Sequence, residues 1–590
     1  MTEDSKLDAG PRRGDVLSPR AALLGLAILL GACAYSFRFT SFMHAKEGVL
    51  GFSLVLIVAL SVYEGRSLWP GIRAFAPLWL LLIFALAAHA ALGLASVPAF
   101  TIEAVVRYAT VLLLAACAYD ILGASEQSRR FVVACIPVSA AVVALLGLLQ
   151  YAGLAGGLLP VFPDYDQRVY SVFGNQDLFG GYIAIGLPLA IAWYFEAGSR
   201  ARSLLLCVVI LLVAALSISG ARSAWLAAIV GTLIILPYRR IARPVTLTLC
   251  GVVIATAAAM AVIAPKATVQ RVTASFSSVD VGFKARLWFW DATWRMIRDA
   301  PVLGVGPGNF QYWSPSYQGE ALRTERGREH YHNELHTLHA HSDSLELAAE
   351  TGLAGLALAG WMLWRLRRGR GAEWGGLAAY LAFGVFNTTL HSAPHMLAAL
   401  LLASALADRG PLASAEKAGE TPEQSWFPLW APAPVAVVLF AITIAAILVP
   451  SYRLNAAREA YEVNALSSED FYLRAVRYPW PAYKAAEEWA EVLLEDRRTT
   501  EMGEFVELAV RGLDTWTAQY LQGVLADFNG NPEAALVAYR ASIWRWPDFV
   551  PSWKAALELT PHDERASLLA EAGLWLPPEQ LAQLSGANGR

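Results

Sequence analysis

The feature that most constrains this 590-residue chain is a series of apolar stretches, each long enough to cross a membrane. A helix needs about 20 mostly apolar residues to span the hydrocarbon layer, and in lipid it satisfies its own backbone hydrogen bonds. We therefore predict an all-α polytopic membrane protein with about 12 to 13 transmembrane helices. The candidate spans lie near residues 20–37, 48–63, 75–95, 102–122, 131–151, 178–196, 203–219, 223–237, 244–264, 344–364, 375–391, 395–407 and 430–450.

Composition agrees with this prediction and excludes several classes of protein. Hydrophobic residues make up 56% of the chain and charged residues only 16%, which is unlike an ordinary soluble enzyme. The formal net charge of -3 provides no general basic field, so we expect no nucleic-acid partner. All five cysteines fall within apolar runs, which implies neither a disulfide framework nor a cysteine metal site.

The distribution of arginine and lysine between the loops predicts the orientation. Loops on one side carry nearly all the basic residues, whereas the opposite loops hold only Arg38, Lys46, Arg168 and Arg222. Because basic loops stay in the cytoplasm, the tail 1–19 and the polar loop 409–428 are expected there. The domain 20–450 then presents its large segment 265–343, together with everything after Pro450, on the outer side.

An outer-face site excludes direct use of cytoplasmic ATP. The sequence also lacks the GxxxxGK[ST] loop, and no GxGxxG turn follows a strand, so no nucleotide-binding motif is present. Chemistry on this side requires a substrate that was activated beforehand and delivered through the lipid.

The soluble segment 451–575 shows a repeat of 34 residues, carried by Phe471, Phe505 and Tyr539. This is the period of tetratricopeptide helix pairs. The last unit has the clearest pattern, and an irregular helical domain is the alternative. In either case we expect the segment to bind or position something, such as a protein partner, and the tail 576–590 to follow it. The positions that carry the last unit are Gly523, Gly530, Ala535, Tyr539, Ser542 and Pro547.

Charged residues beside membrane spans usually face a cavity or a partner, so they are the first candidates for function. Arg222 follows a Ser-Ile-Ser-Gly-Ala sequence between two spans, Arg168 precedes the sixth span, and Arg286 begins an amphipathic stretch. Their planar guanidinium groups can grip a diphosphate bidentately. Interfacial snorkelling or a solvated loop position is the structural alternative for Arg222 and Arg168. Glu103 and Arg107 are spaced to pair on one helix face, which favours a structural role.

The end of the outer segment combines a glycine-proline turn with a run of histidines. Residues 301–310 are either only a turn or a loop whose backbone amides approach a phosphate. His332 and His336 have the i, i+4 spacing of a zincin helix, but the glutamate stands at the wrong position for HExxH, so we predict no metal. His341 is either a neutral base at the membrane surface or an ordinary loop histidine.

Four elements in order resemble the bacterial O-antigen ligase family, which also includes O-antigen polymerases and protein O-oligosaccharyltransferases. Residues 339–355 look like its AHNxxLxxxxExGxxG pattern, and 173–177 resemble its GNPN element. Residues 219–223 resemble its SxSR element, and 286–310 its RxxxW...PxxGxGxxxF element. This sequence departs from the patterns in having Gln176-Asp177 for Pro-Asn, Ser342 for Asn, and one extra residue in the Ser-Arg spacing.

The resemblance implies a periplasmic glycosyltransferase in the bacterial inner membrane. Such proteins move a glycan from undecaprenyl diphosphate to an acceptor hydroxyl, with inversion and without a metal or other cofactor. The resemblance assigns catalysis to His341 as general base, with Arg286 and Arg222 holding the diphosphate. The residues that it assigns to substrate binding are Arg168, Asn175, Asp343 and Glu346, with Asp343 or Glu346 as candidates to orient the ring of His341.

The acceptor and two functions of other classes stay open at this point. A lipid A core would make the protein a ligase in lipopolysaccharide biosynthesis, a growing glycan would make it a polysaccharide polymerase, and a protein would make it an oligosaccharyltransferase. We expect a ligase first. A lipid-linked glycan transporter would need no His341 but predicts internal repeats in the membrane part, which are not evident. A membrane scaffold would leave the arginine and histidine motifs unexplained.

Overall fold

The computed structural model describes residues 17–91, 93–159, 168–235, 243–274, 281–330, 336–408, 428–463 and 465–585. The described chain is helical and contains no β-strand, in agreement with the predicted all-α class. The predicted cytoplasmic loop 409–428 lies, except for its last residue, outside the described residues.

The membrane part agrees with a polytopic protein, while the predicted number of 12 to 13 spans stays a prediction. Eight of the described helices are long and apolar enough to cross a membrane, and four shorter apolar helices accompany them. The run 375–407 is divided into two helices, as expected from its internal break. Up to the outer segment the helices are α1 (Pro19–Cys33), α2 (Phe42–Tyr63), α3 (Trp69–Ala74), α4 (Ala76–Ala85), α5 (Pro98–Ala124), α6 (Glu126–Tyr151), α7 (Gln176–Glu196), α8 (Ser199–Ser219), α9 (Arg222–Ile235) and α10 (Arg243–Ile263).

The outer segment holds four helices, and four more complete the membrane part. In the outer segment they are α11 (Val269–Ala274), α12 (Val281–Asp299), α13 (Phe310–Leu322) and α14 (Glu325–His330). The remaining ones are α15 (Asp343–Leu366), α16 (Glu373–Gly384), α17 (Ala393–Leu406) and α18 (Pro432–Ile442). Glycines let neighbouring helices approach closely where lipid provides no hydrophobic drive: a Cβ on Gly231 would lie 2.4 Å from the carbonyl oxygen of Gly375.

The last membrane helix continues into the C-terminal domain without a break. A π-helical turn, Thr443–Leu448, joins α18 to α19 (Val449–Val463), so the predicted boundary at residue 451 falls inside one helical segment. Packed helices also extend into the segment 576–590. The helices after α19 are α20 (Ala465–Val476), α21 (Tyr483–Glu495), α22 (Gly503–Gly512), α23 (Trp516–Phe528), α24 (Pro532–Arg545), α25 (Val550–Leu559), α26 (His562–Ala572) and α27 (Pro578–Leu584).

The C-terminal domain shares a hydrophobic core with the outer segment. Trp288 and Phe289 of α12 and Leu322 of α13 are buried in one cluster with Tyr539 and Trp553. Fully burying one such side chain contributes roughly 1.5–3 kcal/mol. The two parts must therefore lie on the same side of the membrane. The helix pair α23 and α24 packs Gly523 against Tyr539, while the tetratricopeptide assignment stays a prediction.

Candidate active site

A polar cavity of about 410 Å³ lies where the membrane helices meet the outer segment. It is bordered by the N-terminal parts of α2, α5, α7 and α15, the loop before α13, and the loop between α16 and α17. Three of the predicted site residues, His341, Asn175 and Glu346, line it. The other residues that carry its polar surface are Ser41, His44, Glu47, Glu103, Arg107, Asp177, Gln311, His339, Glu350, Asn387, Thr388 and His391.

His341 occupies a strained backbone position at the wall of this cavity. Its φ angle is +49°, a left-handed conformation that residues other than glycine adopt seldom and that costs of order 1–3 kcal/mol. The imidazole stacks on the ring of Phe289, with 5.6 Å between ring centroids. Strain of this kind persists only where the surrounding structure enforces it, and it concentrates at functional sites.

The surroundings of His341 keep its ring neutral. Burial, followed by the positive charges of Arg286 and His339, lowers the pKa of His341 to about 4, against the opposing effect of Asp177 and Glu346. A neutral imidazole has one nitrogen free to accept a proton. His341 is thus in its proton-accepting form at neutral pH.

Arg286, on helix α12, lies beside the cavity without lining it. Its guanidinium lies 3.7 Å from the carboxylate of Asp177, which lines the cavity. Arg286 and Phe289 are three positions apart in the chain, so one face of α12 carries both the arginine and the ring that stacks on His341. The Nε of Arg286 is buried without a hydrogen-bond partner among the described residues. Asp177 is one of the two residues that depart from the family's GNPN element.

Arg222 begins helix α9, directly after a tight turn that also contacts Arg168. Gly220 ends α8 with a φ of +63°, and a Cβ there would lie 2.8 Å from the Cδ of Arg168. The amide of Asn387, a cavity residue, donates a hydrogen bond of 2.7 Å to the hydroxyl of Ser223. The structure therefore connects the turn that carries Arg222 to the cavity, although neither Arg168 nor Arg222 lines it.

Asn175 and Asp343 both have structural partners. The side chain of Asn175 caps helix α7 by accepting hydrogen bonds from the backbone amides of Asp177 and Leu178. Asp343 begins α15 and accepts hydrogen bonds from the hydroxyl and amide of Thr389 and from the amide of Leu390. Asp343 lines a separate, apolar cavity of about 460 Å³. These contacts tie the start of α15 to the loop between α16 and α17.

Glu346 binds two other histidines rather than His341. Its Oε1 lies 2.6 Å from Nε2 of His391 and 3.2 Å from Nδ1 of His339, and its Oε2 accepts a hydrogen bond from the amide of Ala340. Within the described part of the chain, neither Glu346 nor Asp343 makes a hydrogen bond to the ring of His341. Glu346 holds the backbone next to His341, and the ring itself is oriented by its stacking on Phe289.

The glycine-proline loop holds helix α15 in place. The amides of Val305 and Gly306 donate to the carbonyls of Ala349 and Glu350, and the amide of Leu353 donates to the carbonyl of Pro301. Gly352 has a φ of +66°, and a Cβ there would lie 2.1 Å from the carbonyl oxygen of Val302. The amides of this loop already donate to the protein's own carbonyls. The loop therefore fixes the 301–310 segment to helix α15, which favours a structural turn over a phosphate-binding loop.

One group of described side chains has the spacing to hold a metal ion. The ligand atoms of His339, Glu346 and His391 lie within 4.8 Å of one another. The zincin alternative falls partly outside the described residues, which omit His332. His336 is enclosed by Trp288, Trp516 and Trp546, with ring centroids 5.3, 4.7 and 3.9 Å away. Its role here is aromatic packing between α12 and the C-terminal domain.

Several cavity residues were not identified from the sequence. Arg107 pairs with Glu47 of α2 and not with Glu103, because α2 brings a second carboxylate to the same place. Glu103 instead accepts a hydrogen bond of 2.7 Å from the indole of Trp480 in the C-terminal domain. His391 could have been found as a titratable residue at the polar break between two apolar helices.

Comparison with known proteins supports the resemblance over part of the chain. Residues 206–360 match the protein-family model Wzy_C, described as O-Antigen ligase. The matched part includes Arg222, Arg286 and His341 but not Arg168. No curated protein matches the chain. The match supports the O-antigen ligase family of multi-pass, membrane glycan-transferring ligases and polymerases, whose members are glycosyltransferase-like enzymes.

Proposed function

We propose that this protein transfers a glycan from undecaprenyl diphosphate to an acceptor hydroxyl on the periplasmic face of the inner membrane, as an O-antigen ligase-like enzyme. The observation that carries the proposal is the position of His341, a neutral imidazole held at the wall of a polar cavity with Arg286 nearby. The family match to residues 206–360 supports the same class of reaction.

The chemistry follows from these groups. The acceptor oxygen attacks the anomeric carbon from the face opposite the diphosphate, while a nitrogen of His341 takes the hydroxyl proton. The bond between the anomeric carbon and the diphosphate oxygen breaks, and its electron pair leaves with undecaprenyl diphosphate. The anomeric centre is therefore inverted. General base catalysis of this kind typically contributes about 10²- to 10⁴-fold.

The arginines act on the leaving group. A diphosphate departs as a stable anion, so it requires charge stabilisation more than protonation. Arg286 and Arg222, with Arg168 beside the same turn, provide fixed positive charges for the growing anion. The reaction as proposed uses no metal and no nucleotide, and measuring the metal content of the active, purified protein checks this part directly.

Transfer in proteoliposomes that contain lipid-linked glycan and acceptor tests the proposal. His341→Ala should reduce glycan transfer by about 10²- to 10⁴-fold with unchanged expression and helicity. The exposed His562 of the C-terminal domain provides the matched control, and His562→Ala should leave transfer unchanged. Undiminished transfer by His341→Ala would contradict the general base, and glycolipid crossing the bilayer without being consumed would indicate a transporter.

A further inference from the structure

The cavity beside His341 is rich in carboxylic acids. Among the described residues of its lining, one is an arginine, Arg107, and five are acidic, namely Glu47, Glu103, Asp177, Glu346 and Glu350. The arginines assigned to the diphosphate do not belong to its lining. The cavity is therefore a poor place for a phosphate and needs a different occupant.

Most of these carboxylates are held in place by protein groups. Glu47 pairs with Arg107, Glu346 binds two histidines, and Glu350 accepts a hydrogen bond from the amide of Phe310. Glu103 is bound on one side by Trp480. The lone arginine in the lining is thus already neutralised by a carboxylate.

One buried carboxylate oxygen in the lining has no hydrogen-bond partner among the described residues. Glu47 is 5% exposed, and its Oε2 makes no hydrogen bond within the described part of the chain. A buried carboxylate oxygen without a donor is costly, of the order of a lost hydrogen bond to a charged group. Hydroxyl and ammonium groups of a bound sugar can donate hydrogen bonds to the carboxylate oxygens of the lining, whereas an ionised phosphate oxygen can only accept them.

From this arrangement we infer that the cavity is the acceptor subsite and that it selects a sugar that is uncharged or carries amino groups, and rejects a phosphorylated one. The inference rests on the proposed function and extends it to the class of acceptor. His341 lines the same cavity, so a sugar bound there would present a hydroxyl to the base. Among the open acceptors, a growing glycan fits better than a phosphorylated lipid A core.

The C-terminal domain takes part in this subsite. Trp480 holds Glu103, and the ring of Tyr483 packs edge-on against Phe100, a second lining residue, with 5.7 Å between centroids. The repeat-containing segment thereby fixes one wall of the cavity. A direct role in shaping the acceptor subsite explains why this domain is packed on the membrane part.

Binding of matched trisaccharides to the full-length His341→Ala protein in nanodiscs tests the inference without any turnover. The probes are cellotriose, its amino counterpart tri-glucosamine, and cellotriose 6-phosphate. We expect cellotriose and tri-glucosamine to bind at least tenfold more tightly than the phosphorylated sugar. Glu103→Gln, which keeps an acceptor for Trp480 but removes a carboxylate, should narrow that ratio, whereas the exposed Glu504→Gln should not.

Equal or tighter binding of the phosphorylated sugar, or no binding of any probe, would overturn the inference. If the Glu103 variant does not fold, the binding ratio of the His341→Ala protein with Glu103 intact decides the question alone. Because donor consumption is measured separately, a protein that transfers glycan yet prefers the phosphorylated probe would refute the acceptor assignment and leave the proposed reaction standing.

Discussion

The two regions that meet near His341 differ in charge and in the way they are built. Three arginines lie beside the cavity: Arg286 on the amphipathic helix α12, Arg222 at the start of α9, and Arg168 against the turn before α9. The Nε atoms of Arg286 and Arg168 are buried without a hydrogen-bond partner among the described residues. The cavity itself is lined by carboxylates, most of them bound to histidines, backbone amides or an indole. The difference suggests a division of labour in which the arginines hold an anionic leaving group and the carboxylates hold hydroxyls.

Among changes to the two regions, removal of a positive charge from the arginine region should lower the rate of glycan transfer most. Arg286→Ala should lower turnover of the lipid-linked donor by about 10²- to 10³-fold, since it removes one fixed donor to a developing anion. Arg286→Lys should recover part of that loss because it restores the charge without the planar fork. The exposed Arg298 lies on the same helix, so Arg298→Ala is the matched control. Equal losses in both alanine variants would contradict a specific role for Arg286.

The residues of the first region stand out in the sequence more readily than those of the second. Isolated arginines in an apolar protein stand out, and the motif order gave Arg222, Arg286 and His341. The cavity depends on long-range contacts that no local pattern reveals, such as Glu103 with Trp480, 377 residues apart in the chain. For the same reason the expected pairing of Glu103 with Arg107 was wrong: Glu47, from another helix, takes its place.

Prediction of the fold shows the same difference between local patterns and long-range contacts. Apolar length predicted the polytopic all-α class, because burial in lipid imposes a minimum length on each helix, although only eight described helices reach that length. The core that α12 and α13 share with the C-terminal domain was not predicted. The apolar side chains of Trp288 and Phe289 indicate that these residues are buried, but not which part of the chain covers them.

The pH dependence of transfer tests the role of His341, which lies between the two regions. The pKa of His341 is lowered from 6.5 to about 4, so the neutral, active form persists well below the usual range for histidine. Transfer should therefore stay nearly constant from pH 8 to pH 5 and fall as the pH approaches 4. The measurement is the initial rate at saturating donor and acceptor. A loss of half the activity near pH 6.5 would contradict the described surroundings of His341.

Weakening the contact between the C-terminal domain and the outer segment should have a smaller effect on transfer, and this effect should fall on the acceptor rather than on the donor. Arg323 donates hydrogen bonds to the carbonyls of Trp544 and Ile543 and stacks on the ring of Trp544, with 4.1 Å to its centroid. Arg323→Ala should weaken this contact by about 1.5–3 kcal/mol, which limited proteolysis of the purified protein would detect as faster release of the domain. We expect a several-fold rise in the KM for the acceptor with little change in the KM for the donor.

The most direct test of the division of labour is a steady-state measurement of both KM values in two variants, Arg286→Gln and Glu103→Gln, each with donor and acceptor varied in turn. The account predicts that Arg286→Gln raises the KM for the lipid-linked donor and leaves that for the acceptor nearly unchanged, while Glu103→Gln does the reverse. The account would be contradicted if both variants raised the KM for the same substrate, or if each variant raised the KM for donor and the KM for acceptor equally. Either result would mean that the arginines and the carboxylates do not act on separate substrates.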